Sequence, residues 1–128
     1  MGYTKEDYQK MLQNPQISSE VLKELLKARE KKEIDFKLVD IREVYEYTQA
    51  SIKGTDMLLP TSVLHLHMDK LQELKNEHVI LYCRTGNRTG HVLMILQRMG
   101  FDKISHLTYG ILSYDGEIVS QAPIPNKL

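Results

Sequence analysis

The sequence predicts a single α/β domain built on a central, mostly parallel sheet with helices on both faces. Its 128 residues are enough to bury one hydrophobic core but too few for two. Short apolar runs of strand length alternate with longer segments of helical spacing, an order that favours parallel strands joined by helical crossovers. A content of 41% hydrophobic and 27% charged residues is typical of a globular chain and excludes a disordered one.

The first half of the chain contains two predicted helices, followed by two strands with a short helix between them. Pro15 ends the first helical pattern, and Ser18 and Ser19 offer an N-cap for the second. In order, the predicted elements are a helix over residues 4–12, a helix over residues 21–28 that ends in the charged run 29–33, a strand over residues 35–41, a short helix over residues 43–47 and a strand over residues 57–59.

The second half contains the predicted central strand, Val79–Tyr82, which is apolar, too short for a helix and bounded by polar residues. Residues 92–96 are apolar almost all round, which predicts a helix buried on most sides, with its methionines filling the core. This helix should end near Gly100. The remaining predictions are a helix spaced by Leu64, Leu71 and Leu74 that stops near Asn76, a strand over residues 103–107, a turn into a short helix over residues 109–114 and a loosely packed tail over residues 123–128.

Charge and cysteine content exclude several classes of protein. Lys and Arg together number 17, as do Asp and Glu, so there is no basic excess for binding nucleic acid or an anionic membrane. Residues 1–7 are polar and of mixed charge, which predicts neither a signal peptide nor a membrane span. The single cysteine excludes an internal disulfide and agrees with a reducing compartment. We therefore expect a cytoplasmic protein.

The loop after the predicted central strand carries the candidate chemistry. It contains, in order, Cys83, Arg84, Thr85, Gly86, Asn87, Arg88 and Thr89. Ligands of parallel sheets bind beyond the carboxyl ends of the strands, and Gly86 allows the loop to curl and point its N–H groups at one spot. The helix expected to start near Thr89 adds partial positive charge. With the guanidinium groups of Arg84 and Arg88, these donors predict a Cys83 thiolate that needs no histidine base.

A different interpretation treats Cys83 as a small buried hydrophobe, the commonest fate of a lone cysteine. Such a residue needs neither a glycine in the following loop nor two flanking arginines, so we favour a nucleophile. Arg84 directly follows the cysteine and could also be a solvent-exposed loop charge.

The loop and three further segments resemble the rhodanese-homology domain. Residues 83–89 are close to the active-site loop of that family. Residues 39–47 (Val-Asp-Ile-Arg-Glu-Val-Tyr-Glu-Tyr), residues 51–55 (Ser-Ile-Lys-Gly-Thr) and residues 109–114 resemble the family signatures Asp-x-Arg-x-x-x-Glu-aromatic, His-Ile-x-Gly-Ala and Gly-Gly-x-x-x-Trp. The departures from these signatures are Ser51 for His, Thr55 for Ala, Tyr109 for Gly and Tyr114 for Trp. They lie away from the cysteine loop and concern scaffold packing and acceptor choice.

This resemblance implies a single-domain sulfurtransferase. It divides the chain into an N-terminal helical extension (1–16), a rhodanese-like domain (17–120) and a C-terminal tail (121–128). Cys83 would take a sulfane sulfur from a small anionic donor such as thiosulfate, and an acceptor would remove it from the resulting persulfide. With no second cysteine, that acceptor is external: cyanide, a thiol or a protein. No metal or organic cofactor is implied.

The same resemblance gives the other loop residues a part in binding the donor and the persulfide. Arg84 and Arg88 would attract the anionic donor and steady the thiolate. The backbone amides of residues 84–88, which include Thr85, Gly86 and Asn87, would form the cradle, and the Thr89 hydroxyl would add a donor.

Two other functions remain open. Cysteine-dependent phosphatases and arsenate reductases use a similar loop, with the spacing Cys-x5-Arg, whereas Cys83 and Arg88 have the spacing Cys-x4-Arg. The shorter loop suits a single sulfur atom and is tight for a tetrahedral phosphate or arsenate. Residue 82 is also Tyr where protein tyrosine phosphatases typically carry His. A non-enzymatic interaction module of the same fold is the other alternative, and retention of Cys83 argues against it.

Several polar residues outside the loop are open to a structural interpretation. Asp40 and Arg42 are predicted to form a supporting ion pair, in preference to a catalytic pair, and Glu46 a structural partner. His65 and His67 would point about 200° apart on a helix, which favours surface histidines over a metal site. Three further residues are candidates for lining the pocket: His91, Tyr109 and Tyr114. The alternatives are a solvated or capping role for His91 and core packing with one solvated hydroxyl for the two tyrosines.

Overall fold

A computed structural model describes residues 2–128; Met1, the first residue of the predicted extension, lies outside the described residues. In chain order, the elements are α1 (Lys5–Gln13), β1 (Gln16–Ile17), α2 (Ser19–Glu30), β2 (Lys37–Asp40), α3 (Val44–Gln49), β3 (Ser51–Ile52), β4 (Met57–Leu58), a 3₁₀ segment (Thr61–Leu66), α4 (Met68–Glu73), β5 (Val79–Tyr82), α5 (Asn87–Arg98), β6 (Ile104–Leu107), a second 3₁₀ segment (Ile111–Ser113) and β7 (Ile118–Val119). None of the helices in residues 2–128 has the length and apolar character to cross a membrane.

The main sheet has five parallel strands in the order β1-β6-β5-β2-β4. The predicted central strand, β5, therefore has two strands on each side, and the predicted α/β class is confirmed. Asp40 of β2 lies opposite Tyr82 of β5, and Leu81 lies opposite His106 of β6. The carboxyl ends of these three strands consequently meet at one edge of the sheet. A separate antiparallel pair is formed by β3 and β7.

Each face of the sheet has its own buried cluster. Ile80 and Tyr82 of β5 belong to one cluster, whereas Val79 and Leu81 belong to the other, because successive strand residues face opposite sides. The helical members of the first cluster are Tyr8 and Leu12 of α1 with Leu22, Leu25 and Ala28 of α2; those of the second are Leu71 of α4 with Val92, Leu93 and Leu96 of α5. Helices therefore cover both faces, as predicted.

The prediction that α5 is buried on most sides is wrong. Met94 and Ile95 are 53% and 56% exposed, and Met99 just after the helix is also exposed. The buried positions are spaced by three or four residues because the helix packs one side against a single face of the sheet: Thr89, Val92, Leu93 and Leu96. The methionines of this segment therefore do not fill the core.

Other element boundaries differ from the prediction in length. The predicted strands over residues 35–41 and 103–107 shrink to four residues each. The helix predicted across residues 64–76 is divided at His67 into the first 3₁₀ segment and α4. The two-residue strands β1, β3 and β7 were not predicted, because two residues cannot display a periodicity.

The C-terminal tail over residues 123–128 is mostly exposed, in agreement with loose packing, but it is anchored at Pro123 and Asn126. Leu58 on edge strand β4 donates its backbone N–H to Asn126 Oδ1 at 2.7 Å, and Asn126 Nδ2 donates to the Leu58 carbonyl at 3.0 Å. The Tyr47 hydroxyl donates to the carbonyl oxygen of Pro123 at 3.2 Å. A single side-chain amide thus satisfies part of the open edge of the sheet.

Candidate active site

The loop that follows β5 curls around the sulfur of Cys83. Gly86 has a positive φ of 99°, and its backbone N–H donates to Cys83 Sγ at 3.1 Å. The hydroxyl of Thr89, in the first turn of α5, lies 3.6 Å from the same sulfur. The helix begins at Asn87, earlier than predicted. Residues 87–89 of the loop therefore form the first turn of α5.

Two glycines allow this loop to pack against the turn after β6. A Cβ atom on Gly86 would overlap the carbonyl oxygen of Thr108, and one on Gly110 would overlap the carbonyl oxygen of Arg84. Backbone hydrogen bonds join the same segments: the N–H of Ile111 donates to the Cys83 carbonyl at 2.9 Å. The conformation of the loop is therefore fixed from outside as well as by its own residues.

The environment of Cys83 favours its thiolate. Cys83 is only 1% exposed, and this burial acts to raise the pKa of the thiol. Hydrogen bonds from the backbone amide and hydroxyl of Thr89 and from the amides of Gly86 and Arg88 outweigh burial, so the pKa of Cys83 is lowered overall. The largest favourable contributions are hydrogen bonds, as expected of the loop amides, and the guanidinium charges of Arg84 and Arg88 are not among them.

Arg88 is engaged by a carboxylate, which changes its expected part in the site. Its two terminal nitrogens donate to the two oxygens of Glu46 at 2.8 and 2.9 Å. Glu46 Oε1 also accepts the backbone N–H of Glu43 at 3.0 Å, within the N-terminal turn of α3. This bidentate pair joins α3 to α5 and balances the Arg88 charge. The geometry gives Arg88 a loop-holding contact instead of a free charge for a donor.

This ion pair predicts a stability that depends on pH. The hydrogen bonds from Arg88 lower the pKa of Glu46 from its ordinary 4.5 to about 2. The stabilisation is therefore complete above pH 4.5 and is lost as the pH falls to about 2. We expect Glu46→Gln to lower the free energy of unfolding by about 1–2 kcal/mol at neutral pH, and the two proteins to converge in acid. Urea unfolding at a series of pH values measures this difference.

Glu73→Gln supplies the control for that measurement. Glu73 is exposed at the end of α4 and forms no ion pair within residues 2–128. Its substitution should leave the curve of stability against pH close to that of the wild type. A Glu46→Gln curve parallel to the wild-type curve between pH 2 and 4.5 would contradict the role given to the pair.

Arg84 is the loop arginine that keeps a free charge. Its side chain is exposed and forms no ion pair within residues 2–128. It lines a cleft of about 520 Å³ together with Tyr45, Leu112 and Ile118, among others. Thr85 and Asn87 are exposed on the same loop. Arg84 thus places an unpaired positive charge at the cleft, next in sequence to Cys83, which is itself buried and does not line the cleft.

Asp40 and Arg42 form the predicted ion pair beneath the cleft. Arg42 Nε and Nη2 donate to the Asp40 carboxylate at 2.8–3.1 Å, and Nη2 also donates to the Ala50 carbonyl at 2.6 Å. The guanidinium lies 5.5 Å from the ring centre of Tyr82, and Asp40 is fully buried. Because the acceptors of Arg42 are internal, the pair serves the shape of the loops and supports the structural interpretation.

The other residues considered from the sequence lie outside the cleft. His91 is exposed on α5, Tyr109 is 71% exposed, and Tyr114 packs against the first core cluster. None of the three is among the residues that line the cleft. His65 is exposed and His67 half-buried, and no cluster of His, Cys, Asp or Glu suited to a metal ion occurs in residues 2–128.

His106 is a further residue next to the loop, which was not predicted as part of the site. Its ring Nδ1 lies 2.7 Å from the Thr89 hydroxyl, which in turn faces Cys83. The available signal was a histidine near the carboxyl end of the strand that follows the cysteine loop. That position would face the loop only if the two strands were neighbours, which the sequence did not determine.

Comparison with known proteins supports the resemblance noted in the sequence. The profile of the Rhodanese-like domain family matches residues 21–117. A sulfurtransferase from Allochromatium vinosum is 30% identical over 99 residues, covering 77% of this chain and 86% of that protein. A protein from Bacillus subtilis is 26% identical over 103 residues, which are 80% of this chain and 52% of the relative. The chain thus spans about half the length of that relative.

Solved structures agree on the fold. The Rhodanese-like domain of an Anabaena protein superposes with a TM-score of 0.69 at 24% identity, over 84% of this chain and 80% of that one. A Rhodanese-like domain protein from Staphylococcus aureus gives a TM-score of 0.68 at 22% identity, over 85% of this chain and all of that one. With the family match over most of the sequence, these findings show that the chain belongs to the Rhodanese-like domain family.

Proposed function

We propose that this protein is a sulfurtransferase in which Cys83 carries sulfane sulfur from a small anionic donor to an external acceptor. The observation that carries the proposal is the position of Cys83 Sγ inside a loop that donates backbone N–H groups to it. Donors of this kind stabilise the negative charge of a thiolate and also that of an anionic persulfide. The sulfurtransferase relative and the family match support the same reaction class.

The reaction would proceed in two displacements at sulfur. With thiosulfate, the Cys83 thiolate attacks the outer sulfur, the sulfur–sulfur bond of the donor breaks, and sulfite leaves with the electron pair. The product is a Cys83 persulfide held by the loop amides. An acceptor such as cyanide then attacks the outer sulfur of the persulfide, and the Cys83 thiolate is the leaving group.

Arg84 and Arg88 would have different parts in this reaction. The exposed Arg84 attracts the anionic donor to the cleft, whereas Arg88 keeps the loop closed through Glu46. The single cysteine means that the sulfur must leave on another molecule, either cyanide, a small thiol or a protein. We place the reaction in the cytoplasm, where a lone thiol stays reduced.

The phosphatase and arsenate reductase alternative is less well supported by the site. Arg88 follows Cys83 after four intervening residues, and its guanidinium is occupied by Glu46, so it is not available to clamp a phosphate. Tyr82 is buried, and its hydroxyl accepts the Ile52 N–H at 3.2 Å. Burial also raises the pKa of Tyr82, and the residue cannot replace the histidine typical of tyrosine phosphatases.

Parallel assays on the wild type test the proposal. We expect thiocyanate to form from thiosulfate and cyanide at a rate proportional to the protein added, because the Cys83 persulfide transfers its outer sulfur to cyanide. We expect no release of phosphate from an aryl phosphate above the protein-free background. Phosphate release without thiocyanate formation would favour the phosphatase, and activity in neither assay would favour the interaction module.

A further inference from the structure

A chain of hydrogen bonds leads from Cys83 away from the cleft and into the sheet. The Thr89 hydroxyl lies 3.6 Å from Cys83 Sγ and 2.7 Å from His106 Nδ1. On the far side of the ring, His106 Nε2 lies 2.9 Å from Gln16 Oε1. Thr89 and His106 are only 0% and 5% exposed. The imidazole of His106 is therefore linked to the nucleophile by one buried hydroxyl.

The partners of His106 determine which of its nitrogens carries the proton. Gln16 Oε1 is a carbonyl oxygen that accepts from the Thr108 hydroxyl at 2.9 Å as well as from the ring, so His106 Nε2 must be a donor. In the neutral ring, Nδ1 is then an acceptor and receives the Thr89 proton. The Gly86 carbonyl lies farther from this hydroxyl, at 3.2 Å. Thr89 consequently turns an oxygen lone pair toward Cys83, which can accept the thiol proton.

Ionisation of the Cys83 thiol reverses the directions of the hydrogen bonds that join Cys83, Thr89 and His106. A thiolate needs a donor from Thr89, which has a single hydroxyl proton. If the Thr89 hydroxyl donates its hydrogen bond to the sulfur and His106 stays neutral, His106 Nδ1 is left without a donor. A buried acceptor without a hydrogen bond is costly. If the ring gains a proton, Nδ1 donates to the Thr89 oxygen, and Thr89 donates to the sulfur. The Thr89 hydroxyl and both His106 ring nitrogens are then hydrogen-bonded in the thiol state and in the thiolate state of Cys83.

We propose that His106 takes up the Cys83 thiol proton through the Thr89 hydroxyl, so that the attacking form is a thiolate linked to an imidazolium. This differs from the expectation, drawn from the loop sequence, of a thiolate that needs no histidine base. The S–H bond breaks with its electron pair left on sulfur, that proton binds to the Thr89 oxygen, and the original hydroxyl proton moves to Nδ1. No atom is oxidised or reduced. His106 is a positioning residue, since it acts only through Thr89, and the inference rests on the proposed role of Cys83.

The surroundings of His106 leave Cys83 as the titratable group to which the ring responds. The ring is flanked by the neutral Gln16 of β1 and by Thr89 and Gly90 of α5, and its register partner on β5 is the apolar Leu81. Burial lowers the pKa of His106 and is the cause of its shift. The His106 ring therefore stays neutral while Cys83 is a protonated thiol. It gains a proton only when Cys83 becomes a negatively charged thiolate.

The pH dependence of Cys83 alkylation by iodoacetamide tests this relay, with His106→Asn as the variant. Asn keeps a hydrogen-bonding group near the position of Nδ1 but cannot take up a proton. We expect the alkylation rate at neutral pH to fall about tenfold, since a tenfold change in the thiolate fraction accompanies one unit in the thiol pKa. The control is His91→Asn, the same substitution at an exposed site on α5, which should leave the profile unchanged. An unchanged profile in His106→Asn would overturn the relay.

Nuclear magnetic resonance of the imidazole nitrogens supplies a readout that a purely structural role would not move. In the wild type, the His106 ring should gain a proton over the pH range in which Cys83 loses one, and in Cys83→Ser it should stay neutral over that range. A ring that remains neutral while Cys83 ionises in the wild type would contradict the proposal. This measurement does not depend on whether His106→Asn folds.

The relay and the sulfurtransferase proposal can fail separately. Thr89→Val should raise the thiol pKa as His106→Asn does, because it removes the linking hydroxyl. A coupled titration in a wild type that takes no sulfur from thiosulfate would support the relay and contradict the sulfurtransferase. A wild type that is loaded with sulfur but has an uncoupled His106 would contradict the relay alone.

Discussion

Replacement of Cys83 by serine is expected to abolish sulfur loading. After incubation with thiosulfate, the intact mass of the wild type should increase by one sulfur atom, and that of Cys83→Ser should not change. A serine hydroxyl stays protonated at neutral pH, and the surrounding amides cannot make it a nucleophile for sulfane sulfur. Thiocyanate formation should fall by at least about a thousandfold, as for removal of other covalent nucleophiles.

The serine variant is also a fair structural control, because the change is small. Cys83 is buried, and the Gly86 N–H that donates to its sulfur can donate to a serine oxygen instead. We expect the variant to fold, with a loss of stability of about 1 kcal/mol that thermal unfolding can measure. Treatment of the loaded wild type with a thiol reductant should restore the unmodified mass. A sulfur adduct on folded Cys83→Ser would contradict the assignment of Cys83 as the carrier.

The elements that the sequence predicts correctly are those in which buried positions produce a recognisable run of apolar residues. Val79–Tyr82 is buried at all four positions because the central strand has helices on both sides, so its sequence is an unbroken apolar run. Residues 92–96 show a similar run, yet Met94 and Ile95 are exposed. An apolar residue on the surface leaves the same trace in the sequence as one in the core. The failure at α5 follows from this ambiguity.

Contacts between residues distant in sequence account for most of what could not be predicted in the site. Glu46 was expected to be structural, but its bidentate contact with Arg88 depends on how α3 and α5 are placed on the sheet. His106 meets Thr89 only because β6 lies beside β5. By contrast, the contact of the Gly86 N–H with Cys83 spans three residues and follows from the loop sequence itself.

Substitution of Gly86 by alanine should have the largest effect on stability of any change in the loop. Gly86 has a φ of 99°, which side chains other than glycine rarely adopt, and its added methyl group would overlap the Thr108 carbonyl, a backbone atom with little freedom to move. Strain in the left-handed region costs about 1–2 kcal/mol, and overpacking adds about 1–3 kcal/mol. We expect a total loss of about 2–5 kcal/mol.

Gly90→Ala is the matched control, since it makes the same chemical change four residues later, inside the helix α5 that Gly86 precedes. Gly90 has no positive φ, and the nearest atom to an added Cβ is His106 Cε1 at 4.0 Å, an ordinary contact. Alanine should stabilise α5 at this position by about 0.5–1 kcal/mol. Urea unfolding compares the two variants directly, and Gly86→Ala should also take up sulfur from thiosulfate more slowly. Equal stability of Gly86→Ala and the wild type would show that the loop can move away from Thr108, and the rigid cradle inferred around Cys83 would be wrong.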